Sequence, residues 1–302
     1  MGTSGTGITG STEIIDLASP ITSCKTLPDF PLNVSGAFGG LGYEDNPIIC
    51  GGLNASTSYT NKCYSFNVSE WIPSPNMMSA KAYAAVSVSP NRTTSTKLFV
   101  TGGLNSSSFL NTIESLTPDG WKTLPPFLPV NIHMHCSVFV NSTTLMVIGG
   151  IQNEVYSPLT YYLNTDSNFW VSGPTLNIER CQQGCGKIRK DRHSSEFSII
   201  VAGGSNGSNW RSTVELLDGA AFNWRMGPRL PMGILSSKMV EDPNGGVILI
   251  CGLSDSNVYE NSLFQLAHGG EDAVWTKMDQ KLKIGRYWHV AFLVPDYMVD
   301  CS

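Results

Sequence analysis

Residues 98–125 open with Leu98-Phe99-Val100-Thr101-Gly102-Gly103, pass through a polar loop to Thr112-Ile113-Glu114-Ser115-Leu116, and end with Trp121-Lys122-Thr123-Leu124-Pro125. A short apolar run closed by two glycines, with a tryptophan downstream, recurs along the chain. The pairs are Gly51-Gly52, Gly102-Gly103, Gly149-Gly150 and Gly203-Gly204, with a degenerate copy at Gly252, where Leu253 stands for the second glycine. The first glycines lie 51, 47, 54 and 49 residues apart. Trp71, Trp121, Trp170, Trp224 and Trp275 follow them at 20, 19, 21, 21 and 23 residues. Two landmarks sharing one period identify a repeat architecture.

Each period reads as four strands. The runs before the glycines, such as Leu145-Met146-Val147-Ile148 and Val247-Ile248-Leu249-Ile250, are short, β-branched and continuously apolar, as buried strands are. A half-polar strand follows, as in Thr213-Val214-Glu215-Leu216-Leu217, then a Trp-headed strand, then one of small residues such as Ala82–Val88. No segment keeps a helical period. Glycine permits positive φ and close backbone approach, and tryptophan supplies a large buried area to a thin sheet. Both landmarks therefore build structure and do no chemistry.

Gly-Gly, a downstream Glu or Tyr, then Trp, at this spacing resembles the kelch repeat, over essentially the whole chain. The resemblance implies one all-β domain, 1–302, folded as a β-propeller of four-stranded blades around a central channel. Five repeats lie between Gly51 and Trp275. Tyr287-Trp288-His289-Val290-Ala291-Phe292 and Tyr297-Met298-Val299 read as two further strands. Thr12-Glu13-Ile14-Ile15-Asp16 matches a third strand, and Cys24-Lys25-Thr26-Leu27-Pro28 aligns with Trp121–Pro125. The expectation is six blades, the last closed by two C-terminal and two N-terminal strands, which leaves no open edge.

The chain of 302 residues is charge-poor, with 14% charged, 41% hydrophobic, 30 glycines and 17 prolines. A net charge of −5 gives no basic footprint for nucleic acid. No apolar run reaches the roughly 18 residues of a membrane helix. Apolar residues are too many and too evenly spread for a disordered chain.

Eight cysteines are many for a reducing compartment. Cys50 and Cys63 fall on neighbouring strands of the first repeat. Cys136 and Cys185 each lie 15 residues after a repeat tryptophan, on innermost strands of adjacent blades. Cys24 and Cys301 belong to the closing blade, where a bridge would lock the ring. These three pairs are the expected disulfides. Cys181 and Cys251 are left over, and no cysteine spacing fits a zinc site. Asn-X-Ser/Thr sequons at Asn33, Asn54, Asn67, Asn91, Asn105, Asn141 and Asn206 all fall in expected loops. Cysteines and sequons together favour a secreted or ectodomain glycoprotein, with the cytoplasm as the alternative. Met1-Gly2-Thr3-Ser4-Gly5-Thr6 has no signal-peptide core and fits a loose myristoylation pattern; it suits a loop leading into the closing blade.

The candidate sites are few. Gly5-Thr6-Gly7-Ile8-Thr9-Gly10 matches GxGxxG but has neither a strand before it nor a helix after it, so it reads as a loop. His133 and His135, two apart on an innermost strand, are expected to project to one face, a candidate channel wall, and Arg286, Tyr287 and His289 fall on the innermost strand of the closing blade. The basic stretch Lys187–His193, with Arg189, Lys190 and Arg192, reads as a long loop that could face an acidic partner. Trp210 with Arg211 is the leading interface pair, since loop Trp and Arg are enriched at binding hot spots. No catalytic constellation, metal or cofactor emerges. The copper-oxidase pattern of two Tyr and two His, with a Tyr–Cys crosslink, finds no residue-by-residue match. The expectation is a monomeric, non-catalytic extracellular protein-interaction module with an unidentified protein partner. The alternative is a propeller enzyme acting on a sugar, resembling the sialic-acid mutarotases, with Arg286, His289 and Glu215 at the channel.

Overall fold

The computed structural model describes residues 1–17, 24, 26–90, 98–219 and 221–298. It is all-β; the described helical turns are two 3-10 turns, Tyr43–Asp45 and Asp296–Met298. Five antiparallel sheets follow one another along the chain. The first comprises Phe38–Leu41, Pro47–Cys50, Cys63–Phe66 and Trp71–Ser74. The second comprises Ala85–Val88, Leu98–Thr101, Ile113–Thr117 and Gly120–Leu124. The third comprises Cys136–Phe139, Thr144–Ile148, Thr160–Asn164 and Phe169–Ser172. The fourth comprises Gly184–Arg189, Phe197–Ala202, Val214–Asp218 and Arg225–Met226. The fifth comprises Lys238–Glu241, Val247–Ser254, Tyr259–Leu266 and Thr276–Lys281, with Ile234–Leu235 also paired to its second strand. Gly2–Ser4 and Gly7–Thr9 form a separate hairpin. Almost no helix and several four-stranded antiparallel sheets fit a β-propeller.

The core lies between the sheets, which explains the continuous apolar runs. Successive strand residues point to opposite faces. Leu98 and Val100 pack with Phe38 and Ile48 of the first sheet, while Phe99 packs with Phe139 and Val147 of the third. Ile199 and Val201 face the third sheet, and Ile200 and Ala202 face the fifth. The second strands are buried on both faces, so their runs show no polar alternation, while outermost strands such as Trp71–Ser74 and Thr276–Lys281 are largely exposed. The tryptophans tie neighbours together as well. The indoles of Trp170, Trp224 and Trp275 donate to the carbonyls of Pro126, Pro174 and Pro228 in the preceding sheet's outer region.

Each glycine pair is left-handed. Gly149 and Gly150 have φ of 62° and 87°. A Cβ on Gly149 would lie 2.7 Å from the Arg180 carbonyl oxygen, and one on Gly150 would lie 2.6 Å from His135 Cβ. In the fifth copy the sequence alignment shifts by one residue. Cys251, at φ 53°, holds the first-glycine position and Gly252, at φ 122°, the second. Gly252 N–H donates to the Arg286 carbonyl as Gly150 donates to that of Arg180. Cys251 rather than Leu253 is therefore the substituted residue.

Two disulfides are formed as expected, Cys50–Cys63 and Cys136–Cys185, and they suggest an oxidising, extracellular environment. Cys24 is disulfide-bonded; its expected partner, Cys301, lies outside the described residues. Cys181 and Cys251 are buried free thiols, and burial pushes the Cys181 thiol up to about 12. No helix among the described residues is long and apolar enough to cross a membrane.

The expected closing strands differ from the reading above. Residues 11–16 and 289–295 run without a ladder, and Asp296–Met298 is a 3-10 turn where a strand was expected; Val299 lies outside the described residues. The basic stretch also shifts. Lys187 and Arg189 belong to the strand Gly184–Arg189, and the loop begins at Lys190.

Candidate functional site

Six residues share a left-handed conformation with φ of 51–65°: Gly36, Tyr83, Met134, Gln182, Ser236 and Trp288, the first five of them just before the first strand of a four-stranded array. Their backbones bond in series. Ser236 N–H donates to Gln182, Gln182 to Met134, Met134 to Tyr83, Tyr83 to Gly36 and Gly36 to Trp288. All six line one cavity of about 50 Å³. Their side chains roof it. Trp288 Nε1 donates to Gln182 Oε1 at 3.2 Å, the Ser236 hydroxyl bonds the same oxygen, and the Tyr83 and Trp288 rings meet edge-on at 5.1 Å. Below the roof the cavity is lined by Ala37, Ala84, His135, Gln183, Ser237, Lys238 and His289.

Around this mouth stand the loops that follow the glycine pairs. Each folds back on itself and places an aromatic residue at the return. The bridges are Leu53 with Tyr59, Leu104 with Phe109, Ile151 with Tyr156, Ser205 with Trp210 and Leu253 with Tyr259. All five aromatics are half-buried or exposed, with Tyr156 38% and Tyr259 37% accessible. Tyr259 touches Tyr287 at 5.6 Å, and Tyr287 touches Trp288 at 4.6 Å, so this ring is continuous with the roof. The N-terminal hairpin carries Ile8 at the same return, paired with Thr3. The face thus sets aromatic side chains among exposed Asn, Ser and Thr residues, with the Arg211–Glu179 ion pair beside Trp210.

The sequence candidates distribute unevenly over this site. Trp210 belongs to the ring. Arg211 sits beside it and pairs with Glu179 at 3.1 Å, and Glu179 also accepts from Asn206. Tyr287 is in the roof, and His135 and His289 are in the cavity wall. His133 and His135 do not share a face, because Met134 between them is left-handed and breaks the alternation. His133 stacks flat on Phe109 at 4.5 Å, whereas His135 Nε2 bonds Thr101 Oγ1 at 2.8 Å. Burial pushes His133 down to about 4 and His135 to about 3. Arg286 does not line this cavity; its guanidinium pairs with Glu13. Glu215 pairs with the fully buried Arg180 at 2.7 Å. Lys81 and Glu114 form a third such pair at 2.8 Å. Burial lowers the pKa of both Lys81 and Arg180, and the facing carboxylates oppose that shift.

Lys190 and Arg192 lie in the turn between the first two strands of the fourth sheet. In an antiparallel sheet that is the end opposite the aromatic ring. They pair with Glu196 and Asp272, and the Arg189 side chain lies against Gly245. Six of the seven sequons fall outside the strands, and Asn91 lies outside the described residues. Asn54, Asn105 and Asn206 occupy matching places on three aromatic loops, where each Oδ1 caps a turn. Among the described residues no three His, Cys, Asp or Glu side chains gather as a metal site would need.

The aromatic ring went unread in the sequence apart from Trp210. The signal was present: Tyr59, Phe109, Tyr156, Trp210 and Tyr259 follow the second glycine by 7, 6, 6, 6 and 7 residues.

No family model matches the chain, and no curated protein is significantly similar to it in sequence. A solved structure titled "Structure of YjhT" is similar in fold, with a TM-score of 0.67 over 88% of this chain and 89% of that chain, at 15% identity. The likeness supports a β-propeller.

Proposed function

We propose that the chain is a six-bladed, kelch-type β-propeller acting as a non-catalytic protein-interaction module outside the cell, with the aromatic loop face as its contact surface. The carrying observation is the aromatic residue at one register position on five loops, encircling an aromatic roof. Tyrosine and tryptophan provide large contact area with few rotatable bonds and dominate binding hot spots. Phe109 also stacks on His133 and Tyr259 on Tyr287, while Tyr156 and Tyr259 keep more than a third of their surface exposed.

Several contacts support a sixth blade built from both chain ends. Val290 and Phe292 pack toward the first sheet, and Ala291 and Leu293 toward the fifth, with Ile15 and Leu17. That is strand alternation without a ladder. Gly2, at φ 129°, donates to the Val34 carbonyl as Gly52 does to that of Lys81. Trp71 Nε1 donates to the Pro28 carbonyl as Trp170 does to that of Pro126. The two disulfides and the sequons on exposed loops support the extracellular setting.

The sugar-enzyme alternative is weakened by the side chains it nominates. Arg286 and Glu215 are each committed to a buried ion pair and neither lines the cavity.

The test is a tetramerised chain screened against extracellular proteins and glycans. The expected result is a protein ligand whose binding falls at least about tenfold, or ~1.4 kcal/mol, in Trp210→Ala or Tyr259→Ala, and holds in Arg192→Ala at the opposite end. Binding that ignores both aromatic changes, or a ligand set made only of glycans, would overturn the proposal.

A further inference from the structure

Polar groups in the cavity under the roof are left without partners. The ring Nδ1 of His135, Oε1 of Gln183 and Oγ of Ser237 are buried and make no hydrogen bond, and the three residues are 7%, 5% and 3% accessible. Lys238, which is half-buried, also lines the space, and its ammonium forms no ion pair or hydrogen bond among the described residues. The imidazoles of His135 and His289, kept neutral by burial, lie near it, and no carboxylate lines the cavity. Three side-chain cations in the interior of the described residues each meet an acid: Lys81 meets Glu114, Arg180 meets Glu215 and Arg286 meets Glu13. A buried polar group without a partner costs free energy, and an unpaired charge costs more. Such groups around a void imply something that fills it.

We propose that the central cavity is a binding site for one compact monoanion, a halide ion or a carboxylate group, held by Lys238 with donors from Ser237 and His135. One formal positive charge and no acid set the charge of the occupant. About 50 Å³ sets its size, since a water needs roughly 10–15 Å³ on this measure. The space takes a chloride or the head of an acetate together with a water, and it is too small for a sugar acid. His135 is positioned for the role. Its Nε2 is anchored on Thr101, which leaves Nδ1 without a partner beside the cavity. This site is separate from the aromatic face and needs no protein partner.

The experiment is thermal unfolding of the whole chain in sodium chloride, sodium acetate and sodium gluconate at equal ionic strength. Gluconate is the bulky reference. Chloride or acetate is expected to raise the unfolding midpoint with concentration, relative to gluconate, following the mass action of a ligand bound to the native state. Lys238→Met is expected to abolish that rise and to unfold no earlier than wild type in gluconate, because it removes an unpaired charge. Lys238→Arg is expected to keep the rise. A larger midpoint shift in chloride or in acetate identifies which source fills the site. Midpoints identical in all three salts, or a rise that survives in Lys238→Met, would overturn the proposal, the first indicating a cavity filled by water alone.

Discussion

The guanidinium of Arg286 donates to the carboxylate of Glu13, 273 residues earlier in the chain, and the arrangement repeats that of Arg180 with Glu215. Both arginines send Nη1 to a third-region carbonyl, Ser11 in one case and Thr213 in the other. Both turn Nε to the carbonyl two residues before, Ile284 and Ile178. Both carboxylates accept a backbone N–H as well, from Lys283 and Asn177. The residues near the two chain ends therefore reproduce contacts that other sheets make internally.

Removing one partner of such a pair strands the other charge in a dry site. Arg286→Met is expected to cost about 3–5 kcal/mol in urea unfolding, close to the cost of Arg180→Met. Adding Glu13→Gln to Arg286→Met should recover part of that loss, because the orphaned carboxylate is gone. An Arg286→Met loss under ~1 kcal/mol beside a large Arg180→Met loss would show that the chain ends are not held as the internal pairs are.

The glycine pairs make a sharper steric prediction. Gly149→Ala puts a Cβ 2.7 Å from the Arg180 carbonyl oxygen at a φ of 62°. Left-handed conformation alone costs a non-glycine residue about 1–3 kcal/mol. Gly7→Ala, at φ 110° with open space around its Cβ, carries backbone strain without the clash. Gly149→Ala is expected to lower stability by more than Gly7→Ala in the same denaturant series. Equal losses would mean that close approach plays no part.

The repeat was legible because packing on both faces writes itself into sequence. Pro47–Cys50 and Leu145–Ile148 had to be apolar throughout, and Gly-Gly had to end them under a neighbour's backbone. The interior of the closing region was legible in its contacts, as Glu13 shows, but not in its ladders, because strand pairing leaves no sequence mark distinct from burial. The site was mostly illegible. Met134 breaks the strand between His133 and His135 by a left-handed φ that its residue type gives no hint of. Lys238 reads like any surface lysine, and only the six-membered backbone series around the cavity brings it beside His135 and His289.

The disulfides stabilise according to the loops they close. Cys50–Cys63 spans 13 residues and Cys136–Cys185 spans 49. Loop-closure entropy puts the loss at about 3 kcal/mol for Cys50→Ser with Cys63→Ser, and about 4 kcal/mol for Cys136→Ser with Cys185→Ser. Non-reducing peptide mapping of secreted material should return these two pairs, with Cys181 and Cys251 unbridged. Mapping that finds Cys181 or Cys251 crosslinked would contradict the pairing.

Acid should destabilise the fold before the carboxylates titrate. His133 and His135 hold folded pKa values of about 4 and about 3, pushed down by burial from the usual 6.5. The unfolded chain therefore takes up protons first as pH falls below 6.5. Their contribution to stability is complete above that pH and is lost progressively toward the folded values. Each histidine adds a slope of up to about 1.4 kcal/mol per pH unit. The window from pH 6.5 down to about 5 lies above the ordinary carboxylate range; the buried His289, also held well below 6.5, and the buried Met1 amino group, pushed down to about 5, add to the slope there. Gln183 occupies in the fourth sheet the position His135 holds in the third, so glutamine fits that place. His135→Gln should keep most of the stability at pH 7.5 and flatten the fall between pH 6.5 and 5. Urea midpoints at three pH values in that window check it, and an unchanged slope in His135→Gln would show that the buried imidazole does not drive the acid sensitivity.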